Sequence, residues 1–97
     1  MKVVITQTAK ADLQEIGDFI RQDSPKRAIS FVEELLDSCA ALANMPLAFP
    51  LVPRYEEYNI RRKAYQNYLI FYRINNEIVE VIHILHGARN YEHLLFG

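Results

Sequence analysis

Ninety-seven residues are enough for one domain with a core of its own, and no second domain is expected. A formal net charge of −1, with 51% hydrophobic and 24% charged residues, excludes a disordered chain and argues against a protein that holds nucleic acid by bulk electrostatics. The single Cys39 excludes an intramolecular disulfide and makes the cytoplasm the default compartment, while no apolar run approaches a signal core or a membrane span.

Val3, Val4 and Ile5 form a β-branched run closed by Thr6, Gln7 and Thr8, which predicts a short buried strand. Thr8 is the expected N-cap of the helix that follows, its hydroxyl accepting from an N–H of the first turn, with Asp12 close to the positive helix end. Ala9, Leu13, Ile16 and Ile20 recur at helical spacing and leave Lys10, Gln14, Asp18 and Arg21 outward. Ser24-Pro25 then restarts a helix, because serine caps and a proline at the first helical position loses no hydrogen bond. Ala28, Val32, Leu35, Cys39 and Leu42 make one continuous stripe, which Pro46 ends by disfavouring helical geometry at Met45. The short break between these helices predicts an antiparallel hairpin whose apolar stripes cover another layer.

Pro46, Pro50 and Pro53 punctuate a loop, and three strands are predicted beyond it, near residues 58–65, 67–74 and 77–86. With Asn75-Asn76 as a two-residue turn, Tyr72 faces Val79, Ile70 faces Val81 and Tyr68 faces His83. A bulge would exchange the faces beyond it. The last strand is apolar on both alternating sets, Val79, Val81 and Leu85 on one side and Ile78, Ile82 and Ile84 on the other, as expected of a central strand covered on both faces. Gly87 breaks it, and residues 90–96 form a short helical turn or a tail laid on the sheet. The fold class is therefore α+β: an N-terminal strand and an antiparallel helical hairpin packed on a mainly antiparallel sheet with three C-terminal strands, in one domain over residues 1–97.

The chemistry concentrates in residues 59–91, which hold Arg61, Arg62, Lys63 and Arg73 with no acid before Glu77, then two histidines, Arg89 and Tyr91. Arg61 and Lys63 share one strand face and Arg62 lies on the other; edge strands also carry such charges simply to prevent aggregation. Arg73 is expected to pair with Glu80 across the strands. His83 reads as a hydrogen-bonded structural histidine, whereas His86, at the strand end, is the better functional candidate. Arg89 and Tyr91 leave the central strand where loops tend to carry function and form the leading pair for partner contact. Tyr55 and Tyr58 beside Glu56-Glu57 read as a loop lid, and Leu94, Leu95 and Phe96 as core cover. His93 is expected in solvent, and the histidines lack the spaced carboxylates or cysteines of a metal site.

The element order, the basic strand followed by the aromatic strand in IRRKAYQNYLIFYRI, and the HGARN element within VIHILHGARNYEHLLF resemble the RelE/ParE superfamily of bacterial type II toxins over nearly the whole chain. The resemblance implies a bacterial cytoplasmic toxin neutralised by a cognate antitoxin, ParD-like or similar, with no cofactor and with operator DNA reached only through that antitoxin. It also implies one of two activities. RelE-like members cleave messenger RNA on the ribosome, which requires a proton acceptor for the 2′-hydroxyl, cations for the phosphorane and an acid for the leaving oxygen. Arg61, Lys63, Arg73, Arg89, His83, His86 and Tyr91 are residue types suited to those parts. ParE-like members instead poison DNA gyrase. RelE-like chains place arginine just after the tyrosine that opens the aromatic strand, where this chain has Leu69, and they are strongly basic, where this chain is nearly neutral. The RR-K-A-Y and FYRI phrases lie closer to ParE, so a non-enzymatic gyrase inhibitor with no catalytic residue is the leading expectation. An mRNA endoribonuclease and an inactive homologue that only binds antitoxin are the alternatives.

Overall fold

The computed structural model describes residues 1–97. Strand β1 (Lys2–Ile5) is followed by helices α1 (Gln7–Arg21) and α2 (Pro25–Ala40), then by β2 (Arg61–Tyr65), β3 (Tyr68–Asn75), β4 (Ile78–His86) and the short helix α3 (Tyr91–Phe96). The four strands form one sheet in the order β1-β4-β3-β2, antiparallel except for the parallel pair β1 and β4. β4 is thus central, as its two apolar faces require.

Helices α1 and α2 cover one face of the sheet. Their Leu13, Ile16, Phe31, Leu35 and Cys39 pack with Ile70, Tyr72, Val79, Val81 and Ile84 in the main core. The opposite face holds a smaller cluster of Val52, Ile60, Phe71 and Leu85, covered by Tyr55 from the proline-rich loop and by Tyr91, Leu95 and Phe96 of the C-terminal helix. Each large apolar side chain that is fully buried contributes about 1.5–3 kcal/mol, so these two layers account for most of what holds the sheet. The Tyr72 hydroxyl, at the bottom of the main core, donates to the Pro46 carbonyl at 2.7 Å, which ties the loop leaving α2 to the sheet.

The first helix is capped by Thr6 rather than Thr8. Its backbone N–H makes the last contact to β4 at the Val81 carbonyl, while its hydroxyl donates to that carbonyl at 2.7 Å and accepts from the Ala9 N–H at 3.2 Å. One side chain therefore ends the strand and starts the helix, and this double use places the cap two residues early. Ser24 caps α2 as expected, accepting from the Arg27 N–H with Pro25 at the first position.

The β3–β4 turn also differs. Asn76 and Glu77 are its central residues, at φ 50° and 64° respectively, and Asn75 pairs with Ile78. Positive φ at both central positions matches the right-handed twist of a hairpin, and Glu77 adopts it at a local steric cost. The register is accordingly Tyr72 with Val81 and Ile74 with Val79. A bulge then interrupts it, leaving Ile82 without a residue opposite, so that Phe71 faces His83, Ile70 faces Ile84 and Tyr68 faces His86. Beyond the bulge the faces exchange: Ile84 joins Val79 and Val81 under the helices, and Leu85 passes to the other side with Ile82. β2 begins at Arg61, three residues later than expected, because Glu56–Tyr58 form a 3₁₀ turn ended by left-handed Asn59.

Candidate functional site

His83 lies beside the bulge. Its imidazole reaches α1, where Nδ1 lies 2.7 Å from Asp12 Oδ2, and the same oxygen accepts from the Ile84 N–H at 2.9 Å. Asp12 therefore does not serve the helix N-terminus; it bolts α1 to β4 at the strand irregularity. Both side chains are largely buried, at 19% and 13% exposure, so His83 sits in the structure rather than at an open surface.

The basic strand is distributed over three places. Arg61 donates to the Phe49 carbonyl at 2.7 Å, and Lys63 donates to the Ser38 carbonyl at 2.7 Å while lying 5.2 Å from the centre of the Phe49 ring. Both thus lie on the helix-side face, and Lys63 meets the last turn of α2, where unpaired carbonyls favour a cation. Beside it the thiol of Cys39 is pushed up to about 11, burial outweighing the opposing pull of the Lys63 charge, and so stays protonated and inert. Arg62 points to the opposite face and donates to the Tyr91 hydroxyl at 2.6 Å, anchoring the start of α3 over Phe71. Arg73 pairs directly with Glu80 at 2.9 Å on the exposed part of the hairpin.

His86, Arg89 and Tyr68 come together at the end of the sheet nearest α1. A cleft of about 350 Å³ lies between them and the Asp12, Glu15 and Phe19 side of that helix. The His86 ring meets Tyr68 edge-on with centroids 5.2 Å apart, and its Nδ1 accepts from the Ala88 N–H at 3.1 Å. In the neutral ring the proton is then on Nε2. Gly87 makes a close approach: its N–H bonds the Asn67 carbonyl at 2.7 Å, and an added Cβ would stand 3.3 Å from that oxygen. Arg89 lies 3.8 Å from Glu15, and Asp18 also lines the cleft. The cleft that holds His86 is thus walled by carboxylates. Tyr91 is not part of it, being held on the other sheet face by Arg62.

At the neighbouring corner, Tyr65 donates to Glu34, which also takes Arg27 at 2.6 Å. The Arg27 hydrogen bond holds the Glu34 carboxyl below its ordinary range, with Tyr65 adding to the effect, and Glu34 in turn pushes the Tyr65 phenol up.

The structure therefore separates the sequence candidates: Arg61 on the proline-rich loop, Lys63 at the α2 terminus, Arg62 with Tyr91 under α3, Arg73 on the outer hairpin, and His86 with Arg89 in the cleft. Glu15 and Phe19 of that cleft escaped the sequence reading. Glu15 precedes Ile16 with no basic partner at helical spacing, and its pairing with Arg89 depends on a turn 74 residues away in the chain.

A family profile described as the ParE toxin of type II toxin-antitoxin system, parDE, matches residues 3–91. Among solved structures, the chain is similar to one from the chromosomal ParDE TA system from P. aeruginosa, with a TM-score of 0.72 and 22% identity over 89% of this chain and 95% of that one. It is also similar to a chain of the toxin-antitoxin complex RelBE2 from Mycobacterium tuberculosis, with a TM-score of 0.65 and 23% identity over 88% of this chain and 95% of that one. At these identities the two structures establish the shared fold. A comparison with curated proteins finds no match.

Proposed function

Because the chain belongs to the ParE toxin family of type II toxin-antitoxin systems, we propose that it acts on DNA gyrase, without chemistry of its own, and is neutralised by a cognate antitoxin. The observation that carries this reading is the state of the cations. Arg61 and Lys63 hold backbone carbonyls, Arg62 holds Tyr91, Arg73 holds Glu80, and Arg89 lies beside Glu15. Cleavage of RNA would need several of them turned toward one phosphate, with a proton acceptor within hydrogen-bond reach. A phosphodiester entering the His86 cleft would instead meet Glu15 and Asp18, whose charges repel it.

Leu69 supports the same reading. It lies on the second face, packed against the cluster of Phe71 and Leu85, and contributes no charge where a nuclease relative would carry one. Binding to a protein target asks for a rigid, mixed surface rather than for converged cations, and the bolted cations supply that rigidity.

In cells, induction without the neighbouring antitoxin gene should stop incorporation of labelled thymidine before that of labelled methionine. Arrest of methionine incorporation first, with cut messages, would favour the endoribonuclease, and unimpaired growth would favour an inactive antitoxin-binding homologue.

A further inference from the structure

Helix α3 is attached to the sheet differently from α1 and α2. Those two helices bury Ala9, Leu35 and Cys39 completely, whereas no residue of α3 is fully buried. α3 has no side-chain N-cap, and its six residues are too few to hold a helix by their own hydrogen bonds. Its neighbours therefore keep it in place.

Three side-chain ties do so. Arg62 donates to the Tyr91 hydroxyl at 2.6 Å, and Arg54, 78% exposed, pairs with Glu92 at 2.9 Å. The Phe96 ring stacks on Tyr55, with centroids 4.1 Å apart and planes 3° from parallel. All three partners lie between Arg54 and Arg62, so one stretch of chain latches the whole helix. On the other side, the Gly87 N–H fixes the end of β4 to the Asn67 carbonyl, while the hydrogen bonds of the backbone over 88–90 reach no further than His86 and Tyr91. A firm anchor, a short exposed hinge and a latch thus follow one another along the chain.

We propose that α3 is a strap: in a small fraction of molecules it opens as one unit about residues 88–90, while the sheet and the helical hairpin stay folded. Units with few buried contacts are the ones that open below the global unfolding free energy. Opening uncovers Phe71 and Leu85, which Tyr91, Leu95 and Phe96 otherwise cover. It also frees the Arg62 guanidinium, which stands directly across the strands from Phe71. The open form thus offers a cation beside an apolar strip, a combination that the closed form hides, and a partner that needs it would capture the open form. One freed cation is not the converged set that RNA cleavage requires, and the opening does not depend on whether gyrase is the target.

The test is methyl relaxation dispersion by NMR on the full chain, which detects exchange on the microsecond-to-millisecond scale. Val52, Ile60, Leu85 and Leu95 should share one exchange process, while Val79, Val81 and Ile84 under the helical hairpin stay flat. Tyr91→Phe keeps the ring and removes the hydroxyl that Arg62 holds, so it should raise the open population about tenfold. Salt at about 0.5 M should raise it about twofold by screening the exposed Arg54–Glu92 pair. Flat profiles at Val52, Ile60, Leu85 and Leu95 in both proteins would overturn the proposal. So would a Tyr91→Phe population equal to that of wild type, or exchange that grows equally at Val79 and Ile84, which would mean that the whole fold loosens and no strap exists.

Discussion

Asp12 fixes a single carboxylate oxygen between the His83 ring and the Ile84 N–H, and so joins α1 to the central strand where the ladder is interrupted. Asp12→Ala leaves both partners unsatisfied in a largely buried site and should lower stability by about 1–3 kcal/mol, read from the midpoint of a urea titration. Tyr68 and Tyr72 make a second residue-scale prediction. Burial pushes both phenols above their ordinary value, since the charged form is disfavoured inside, and Tyr72 also needs its proton for the Pro46 carbonyl. A group raised in the folded state gives stability that is complete below its unfolded value, about 10 for tyrosine, and that is lost as pH rises through the folded value. Stability should therefore fall above about pH 10, and phenolate absorbance should show these two tyrosines titrating after the exposed ones.

The elements owe their placement to residues that serve two neighbours at once. Thr6 ends β1 and caps α1, so Thr6→Val, which keeps the shape and removes the hydroxyl, should cost about 1–2 kcal/mol by thermal or urea unfolding. That double role also explains what the sequence concealed. The existence and order of the strands and helices were legible from period and breakers: the β-branched start, the apolar helical stripes, Ser24-Pro25, and the uninterrupted apolar run of β4. The cap at Thr8 was not borne out because sequence alone gives no weight to the Val81 carbonyl, a contact 75 residues distant. The β3–β4 register was misplaced because Asn75-Asn76 has better turn chemistry than Asn76-Glu77, yet the tertiary pairing of Tyr72 with Val81 prevails. Nothing local marks the bulge at Ile82, and it alone sends Ile84 to the main core and Leu85 to the other face. The ion pair of Arg73 with Glu80 was legible because it needs only the hairpin; the ties of Arg61, Lys63 and Arg62 were not, because their partners come from α2, the proline-rich loop and α3.

For the molecule as a whole, the helical hairpin on one sheet face and the loop with α3 on the other leave little of the sheet open. The basic strand is built into this frame instead of being displayed by it. What remains exposed is the carboxylate-walled cleft of His86 and Arg89 at one end and an apolar groove between α1 and α2. Such a surface suits protein recognition, and the proposed target is gyrase. The direct measurement is supercoiling of relaxed plasmid by purified gyrase and ATP, with this protein titrated in and the products resolved on a gel. Loss of supercoiled product with accumulation of linear, gyrase-bound plasmid, reversed by the cognate antitoxin, is the predicted result. Undiminished supercoiling at molar excess of the folded protein would contradict gyrase as its target.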